Sequence, residues 1–267
     1  MRACRSYLSL MARSTLYKEL ALFVVMAVVE LALFIPNLEK QFSEVVGIGE
    51  NGEEIYSMYS LPVDEIAENT HLQWVWIAAL VLLSLILIRT AGRWRDYTLD
   101  RLGISRRQGN LLYGLYGTLS FLLLWAFQAA LVLVMCLLYR QNLPAEKVTE
   151  QTVLLSIYRT PFFFSMLPLA GWARWVTNAC MMAALGLCAA SGARLRRLGR
   201  IPEASNCLLI LLFWFGYGNS GVSNLDGDAG FFAVAFCFAA AAVARMTMWD
   251  SEDNGEGEPY ERLDNQV

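Results

Sequence analysis

Residues 72–140 read LQWVWIAALVLLSLILIRTAGRWRDYTLDRLGISRRQGNLLYGLYGTLSFLLLWAFQAALVLVMCLLYR, and this stretch decides the fold. It holds two apolar runs, at 72–89 and 113–138, each close to or beyond the ~20 residues with which a helix crosses ~30 Å of hydrocarbon. Between them fall Arg89, Arg93, Arg95, Arg101, Arg106 and Arg107. Short loops rich in Arg and Lys stay on the cytoplasmic side of a membrane, so the stretch is two spans joined by an inner loop.

Four further apolar runs lie outward from it, at 19–36, 171–191, 204–219 and 230–248, which makes six spans and puts both termini on one side. Arg2, Arg5, Arg13 and Lys18 precede the first run, Arg194, Arg196, Arg197 and Arg200 follow the fourth, and Arg245, at the end of the sixth, and Arg262 close the C-terminal side. Only Lys40, Arg140, Lys147, Arg159 and the span-edge Arg174 remain for the outer side, of 21 Lys and Arg in all. The termini are therefore cytoplasmic. A content of 57% hydrophobic residues, with 8 Trp, 11 Tyr and 14 Phe, agrees with an all-α polytopic membrane protein.

The flanks complete the organisation. Residues 1–18 set Tyr7, Leu8, Leu10, Met11, Leu16 and Tyr17 among Arg and Ser, the pattern of an interfacial helix. Residues 19–249 form the transmembrane domain, and 250–267, acidic and without apolar periodicity, a disordered cytoplasmic tail. The first outer loop carries Glu39, Glu44, Glu50, Glu53, Glu54, Asp64, Glu65 and Glu68 against Lys40 alone. It is either an acidic vestibule that gathers cations or a solvated loop left acidic by exclusion of Lys and Arg. Five of the six cysteines sit inside apolar runs, so no disulfide framework is expected.

Two connections depart from an up-and-down bundle. Phe162-Phe163-Phe164-Ser165-Met166-Leu167-Pro168 is too short to span, and as a re-entrant or surface segment it must pack against the outer ends of neighbouring spans. Tyr113 to Tyr139 is longer than one crossing, so its helix extends into the arginine-rich inner loop.

In that loop Thr98-Leu99-Asp100-Arg101-Leu102-Gly103-Ile104-Ser105-Arg106-Arg107-Gln108 resembles the "LP(I/V)SRRQ" segment of bacterial ABC exporter permeases of the type 2 class. The resemblance implies a cytoplasmic coupling helix between spans two and three, resting on a separate ATP-binding cassette subunit through Leu102, Ile104, Ser105, Arg106, Arg107 and Gln108. It also implies a plasma-membrane location, a second permease copy or homologue, and export of a substrate that nothing in the spans specifies. The family's re-entrant helices lie between spans five and six, where this chain has only residues 220–229. A membrane scaffold, immunity or sensor subunit without transport activity is the alternative.

Enzymatic readings are poor. The lysines, Lys18, Lys40 and Lys147, do not follow glycine, so there is no P-loop and any ATPase is another chain. Gly218-Asn219-Ser220-Gly221 matches a rhomboid nucleophile pattern, yet the one histidine, His71, precedes it in the chain where the rhomboid base follows. Asp226-Gly227-Asp228 reads as a turn. No metal-ligand spacing occurs, and neither a cofactor nor a nucleic acid is expected. Within the spans Glu30 stands out, because a carboxylate at mid-bilayer costs roughly 2.5 to 3.5 kcal/mol on insertion scales. Counting rise from the outer ends places Arg174 at similar depth. Glu30 and Arg174 pair or share an aqueous cavity, or else a protonated Glu30 packs against Asn178 or Gln128. Gln128, Asn178 and Asn206 are expected to bond between helices.

Overall fold

A computed structural model describes residues 2–38, 41–48, 54–60, 62–91, 105–143, 151–169, 171–197, 205–218 and 225–248. The described residues form helices and one antiparallel hairpin: α1 (Arg2–Leu38), β1 (Gln41–Ile48), β2 (Glu54–Ser60), α2 (Val63–Thr70), α3 (Leu72–Ala91), α4 (Arg106–Asn142), α5 (Thr152–Arg159), α6 (Pro161–Met166), α7 (Trp172–Arg197), α8 (Ser205–Gly218) and α9 (Leu225–Met248). Five of these helices, α1, α3, α4, α7 and α9, are long and apolar enough to cross a membrane. The apolar run at 204–219 is the 14-residue α8, about 21 Å long at 1.5 Å per residue.

The body of the fold is all-helical, as expected, and three details differ or are added. The connection between α1 and α2 contains β1 and β2, paired from Gln41 opposite Ser60 to Ile48 opposite Glu54 with an irregularity between Val45 and Gly47. Residues 2–38 form one continuous helix, so the stretch expected at the interface runs without a break into the apolar run, because no Gly or Pro interrupts the chain before Pro36. Asp226-Gly227-Asp228 lies in the first turn of α9 and is not a free turn. An acidic residue in the first turn of a helix is favoured by the positive end of the helix dipole, which suits starting a helix at that point. The tail from 250 lies outside the described residues.

The core sits around α7, where 72% of the apolar window is buried, against 28% in α1 and 17% in α9. It packs against α4, α9, α3 and α8. Its small residues, Ala184, Gly186, Ala189, Ala190, Ser191, Gly192 and Ala193, are all buried. Apolar side chains gain little by leaving lipid for a helix interface, so close backbone approach and van der Waals contact are what hold such helices together. In α3 the buried Trp76, Leu80, Leu83 and Leu87 form one stripe, while Val81, Leu82 and Leu85 on the other side are exposed. A helix apolar on both faces suits lipid contact. Trp74 and Trp172, at the ends of α3 and α7 assigned to the outer side, are 52% and 79% exposed, as in an aromatic interfacial belt.

Outside the long helices, α2 is amphipathic. Val63, Ile66, Ala67 and Thr70 are buried, while Glu65 and Glu68 are exposed. The segment expected to be re-entrant forms α5 and α6, and Phe162 to Leu167 are buried against α4 and α8.

Candidate functional site

The polar residues of the interior collect where α1 meets α4. The two helices run parallel, and their contacts keep a nearly constant sequence offset of 97, 98 and 101 residues along the seam. At its lower end Thr15 Oγ1 meets the Tyr116 hydroxyl at 2.5 Å. The Tyr116 hydroxyl donates to Glu19 Oε1 at 3.0 Å, and Ser120 Oγ lies 3.2 Å from both Glu19 oxygens. Higher up, Phe23 stacks on Phe127 with ring centroids 5.3 Å apart. Beyond the aromatic pair, Gln128 Nε2 donates to both oxygens of Glu30, at 3.0 and 2.9 Å.

Both carboxylates are buried, Glu19 at 4% and Glu30 at 0% exposure. Eleven residues separate them in the sequence, three helical turns and about 16 Å of rise, which sets them on one face of α1. Glu19 is the member that sequence reasoning missed, since it stands at the edge of the apolar run and reads as a boundary charge. Its spacing from Glu30 was the available signal.

Glu30 and Arg174 are not a pair. Arg174 Nη2 donates to Ser165 Oγ at 3.1 Å and Nη1 lies 3.9 Å from Asp228 Oδ1, so its described partners belong to the α6 segment and α9. Rise along a helix does not by itself choose partners; the azimuth of each side chain on its helix decides who meets whom. Of the alternatives, Gln128 is the observed partner of Glu30. Asn178 instead donates to the Ser165 carbonyl at 2.9 Å, and Asn206 is buried without a hydrogen-bond partner.

Around Arg174, Trp175 Nε1 donates to the Pro168 carbonyl at 2.8 Å and Thr177 Oγ1 to the Asp228 carbonyl at 3.3 Å. This network fastens α6 and the start of α9 to α7. At the opposite end, Arg197 Nη2 donates to Asn110 Oδ1 at 3.0 Å, the Tyr113 hydroxyl to the Leu87 carbonyl at 2.6 Å, and Arg194 Nη1 to the Arg245 carbonyl. Those bonds tie the ends of α7, α4, α3 and α9 assigned to the cytoplasm.

Of the expected ATPase-coupling residues, Leu102 and Ile104 lie outside the described residues. Ser105 is the N-cap of α4, its Oγ accepting from the Gln108 amide at 3.3 Å. Arg106 begins the helix, and Arg107 and Gln108 are exposed in its first turn. The described part of the loop is thus the tip of α4 itself, because a capped start followed by good helix formers lets the span helix propagate outward.

No protein-family model, curated protein or solved structure matches this chain.

Among the described residues no group of His, Cys, Asp and Glu is placed to hold a metal ion. His71, in a left-handed turn at φ 50°, lines an outer cleft of about 300 Å³ with Glu68, Gln73, Thr160 and Phe162, and Ser220 lies outside the described residues. The α1–α4 seam is what the chain offers as a candidate site. Its carboxylates have hydroxyl and amide partners only, and intramembrane acids of that kind mark ion and proton pathways or moving interfaces.

Proposed function

We propose that the chain is the membrane-spanning subunit of an exporter, a permease of the type 2 class of bacterial ABC transporters. A separate ATP-binding cassette subunit and a second permease copy or homologue complete the machine in the plasma membrane. Six helices cross, with α8 as the fifth span, and both termini are cytoplasmic.

The observation that carries this reading is the build of α4. It is 37 residues long, about 55 Å, against ~30 Å of hydrocarbon. Its capped tip presents Ser105, Arg107 and Gln108, and further along the same helix Tyr116, Ser120 and Gln128 grip the buried acids of α1. A helix is stiff over this length, so a push at the tip moves the seam. Hydrolysis elsewhere thereby acquires a lever into the membrane, which suits a chain without a P-loop.

A non-transport scaffold or sensor is the second reading, favoured by the short joint between α8 and α9, which leaves no room for the family's re-entrant helices there. A mild-detergent pull-down from the native membrane decides between them, wild type beside an Arg106→Glu, Arg107→Glu double variant. The exporter reading expects a P-loop ATPase with the wild type and its loss in the variant. Wild-type chain purifying without an ATPase removes the exporter reading.

A further inference from the structure

The amide of Gln128 is matched at one end and unmatched at the other. Nε2 donates to both oxygens of Glu30, whereas Oε1 is buried and accepts nothing. Both side chains have 0% exposure. An ionised carboxylate only accepts, so it can satisfy the NH2 end of an amide but never its carbonyl oxygen. In the ionised form the seam would hold two costs at once, an orphaned buried carbonyl and a buried charge that has an amide but no opposite charge beside it. One proton removes both. Glu30 as the neutral acid donates its O–H to Gln128 Oε1 while its own C=O accepts from Nε2, and the facing polar atoms are then paired.

We propose that Glu30 and Gln128 form a proton-binding site inside the membrane, one proton per chain, held between the Glu30 carboxyl and Gln128 Oε1 and occupied at neutral pH. Among the described residues nothing packed around Glu30 provides a counter-charge. The elements against α1 are α2, α3 and α4. On α2 the charged groups are the acids Asp64, Glu65 and Glu68, and on α3 the one charged residue is Arg89, at the far end of the helix. On α4 the cations Arg106, Arg107 and Arg140 stand at the two ends, the nearest of them twelve positions or about 18 Å from Gln128, and Cys136 and Tyr139 are the titratable groups of its outer part. On α1 itself Glu19 is three turns away, beside Lys18 and below it Arg13. A metal cation fits less well, because hard cations take six or more oxygens and the seam supplies three here, two from Glu30 and one from Gln128. Loss of the proton sets a carboxylate against a carbonyl oxygen, so the site is a latch that strengthens the hold of α1 on α4 when loaded.

Infrared difference spectroscopy on the full chain in lipid nanodiscs tests this without reference to any ATPase. The wild type minus Glu30→Gln spectrum at neutral pH is expected to contain the C=O band of a protonated carboxyl. Gln128→Leu is expected to move that band to higher frequency as its hydrogen bond is lost. A wild-type difference holding carboxylate bands alone overturns the proposal. Should Glu30→Gln fail to fold, a protonated-carboxyl band that does not change in Gln128→Leu overturns it equally.

Discussion

Gly117 of α4 and Gly186 of α7 touch backbone to backbone. A Cβ built on Gly186 collides with the Thr118 nitrogen and comes within 2.5 Å of the Gly117 carbonyl carbon, and one on Gly117 meets the Gly186 oxygen at 2.9 Å. Neither obstacle is a side chain that can turn aside, so the two helices cross at a separation only glycine permits.

Substitution at this crossing is therefore expected to rank by what the new methyl meets. Gly186→Ala drives α4 and α7 apart and costs at least the ~1–3 kcal/mol typical of overpacking, with Gly117→Ala next. Gly114→Ala meets the flexible Leu187 side chain at 3.0 Å and costs less, while Gly171→Ala meets nothing within 4 Å and stays within about 0.5 kcal/mol of wild type. Reversible unfolding in mixed micelles measures the series. Equal losses at Gly186 and Gly171 would show that the close crossing is not what stabilises the pair.

The partners of Glu30 set a second expectation. A double-mutant cycle on Glu30 and Gln128 should return a coupling of about 0.5–3 kcal/mol, the range for residues in contact, while the same cycle on Glu30 and Arg174 should vanish within about 0.5 kcal/mol. Exchanging the two charges, Glu30→Arg with Arg174→Glu, should not restore folding lost in either single reversal. Rescue by that exchange would restore the pairing that sequence depth suggested.

These two cases mark how far the sequence was legible. Of the six apolar runs, five are helices long enough to cross a membrane, and α4 extends toward the arginine-rich loop as its length suggested, because length and composition are one-dimensional properties of the chain. Partner choice at Glu30 depended on which way each helix is rotated, and helices apolar on every side, such as α3 and α1, carry little periodic signal to fix that rotation. The hairpin of β1 and β2 was readable in principle. Asn51-Gly52 between segments rich in Val, Ile and Tyr is a strong hairpin signal, and the weight given to acidic charge in that loop obscured it. Glu19 escaped for a similar reason, since a charge at the edge of an apolar run needs no partner until its helix proves continuous.

Arg174 is expected to act as the fastener of the outer segment. Arg174→Gln removes its charge-assisted bond to Ser165 and its attraction to Asp228, and a bond to a charged group contributes about 1.5–3 kcal/mol. Exchange of the Phe164 and Leu167 amides, which donate to Thr160 and Phe163 at 2.9 Å, should then speed up by about tenfold or more. Amides in the part of α4 around Tyr116 should be unaffected. Hydrogen exchange read by mass spectrometry distinguishes this local release from global destabilisation, which would accelerate both regions together.

The crossing of α8 is the remaining expectation, and its length makes it the demanding one. Fourteen residues give about 21 Å of helix against ~30 Å of hydrocarbon. Mismatch costs only fractions of a kcal/mol per Å, through thinning of the bilayer or help from flanking residues. Keeping Arg194, Arg196, Arg197, Arg200 and Arg245 together on the cytoplasmic side also requires the chain to cross twice between them. In a variant with its six cysteines replaced, Cys introduced at Val222 should react from outside intact cells with an impermeant maleimide, and so should Cys introduced at Asn142. Cys at Ser105 should react only after permeabilisation. If Val222 behaves like Ser105, α8 returns without crossing, five spans remain, and the two ends of the chain lie on opposite faces, which no permease of the proposed class accommodates.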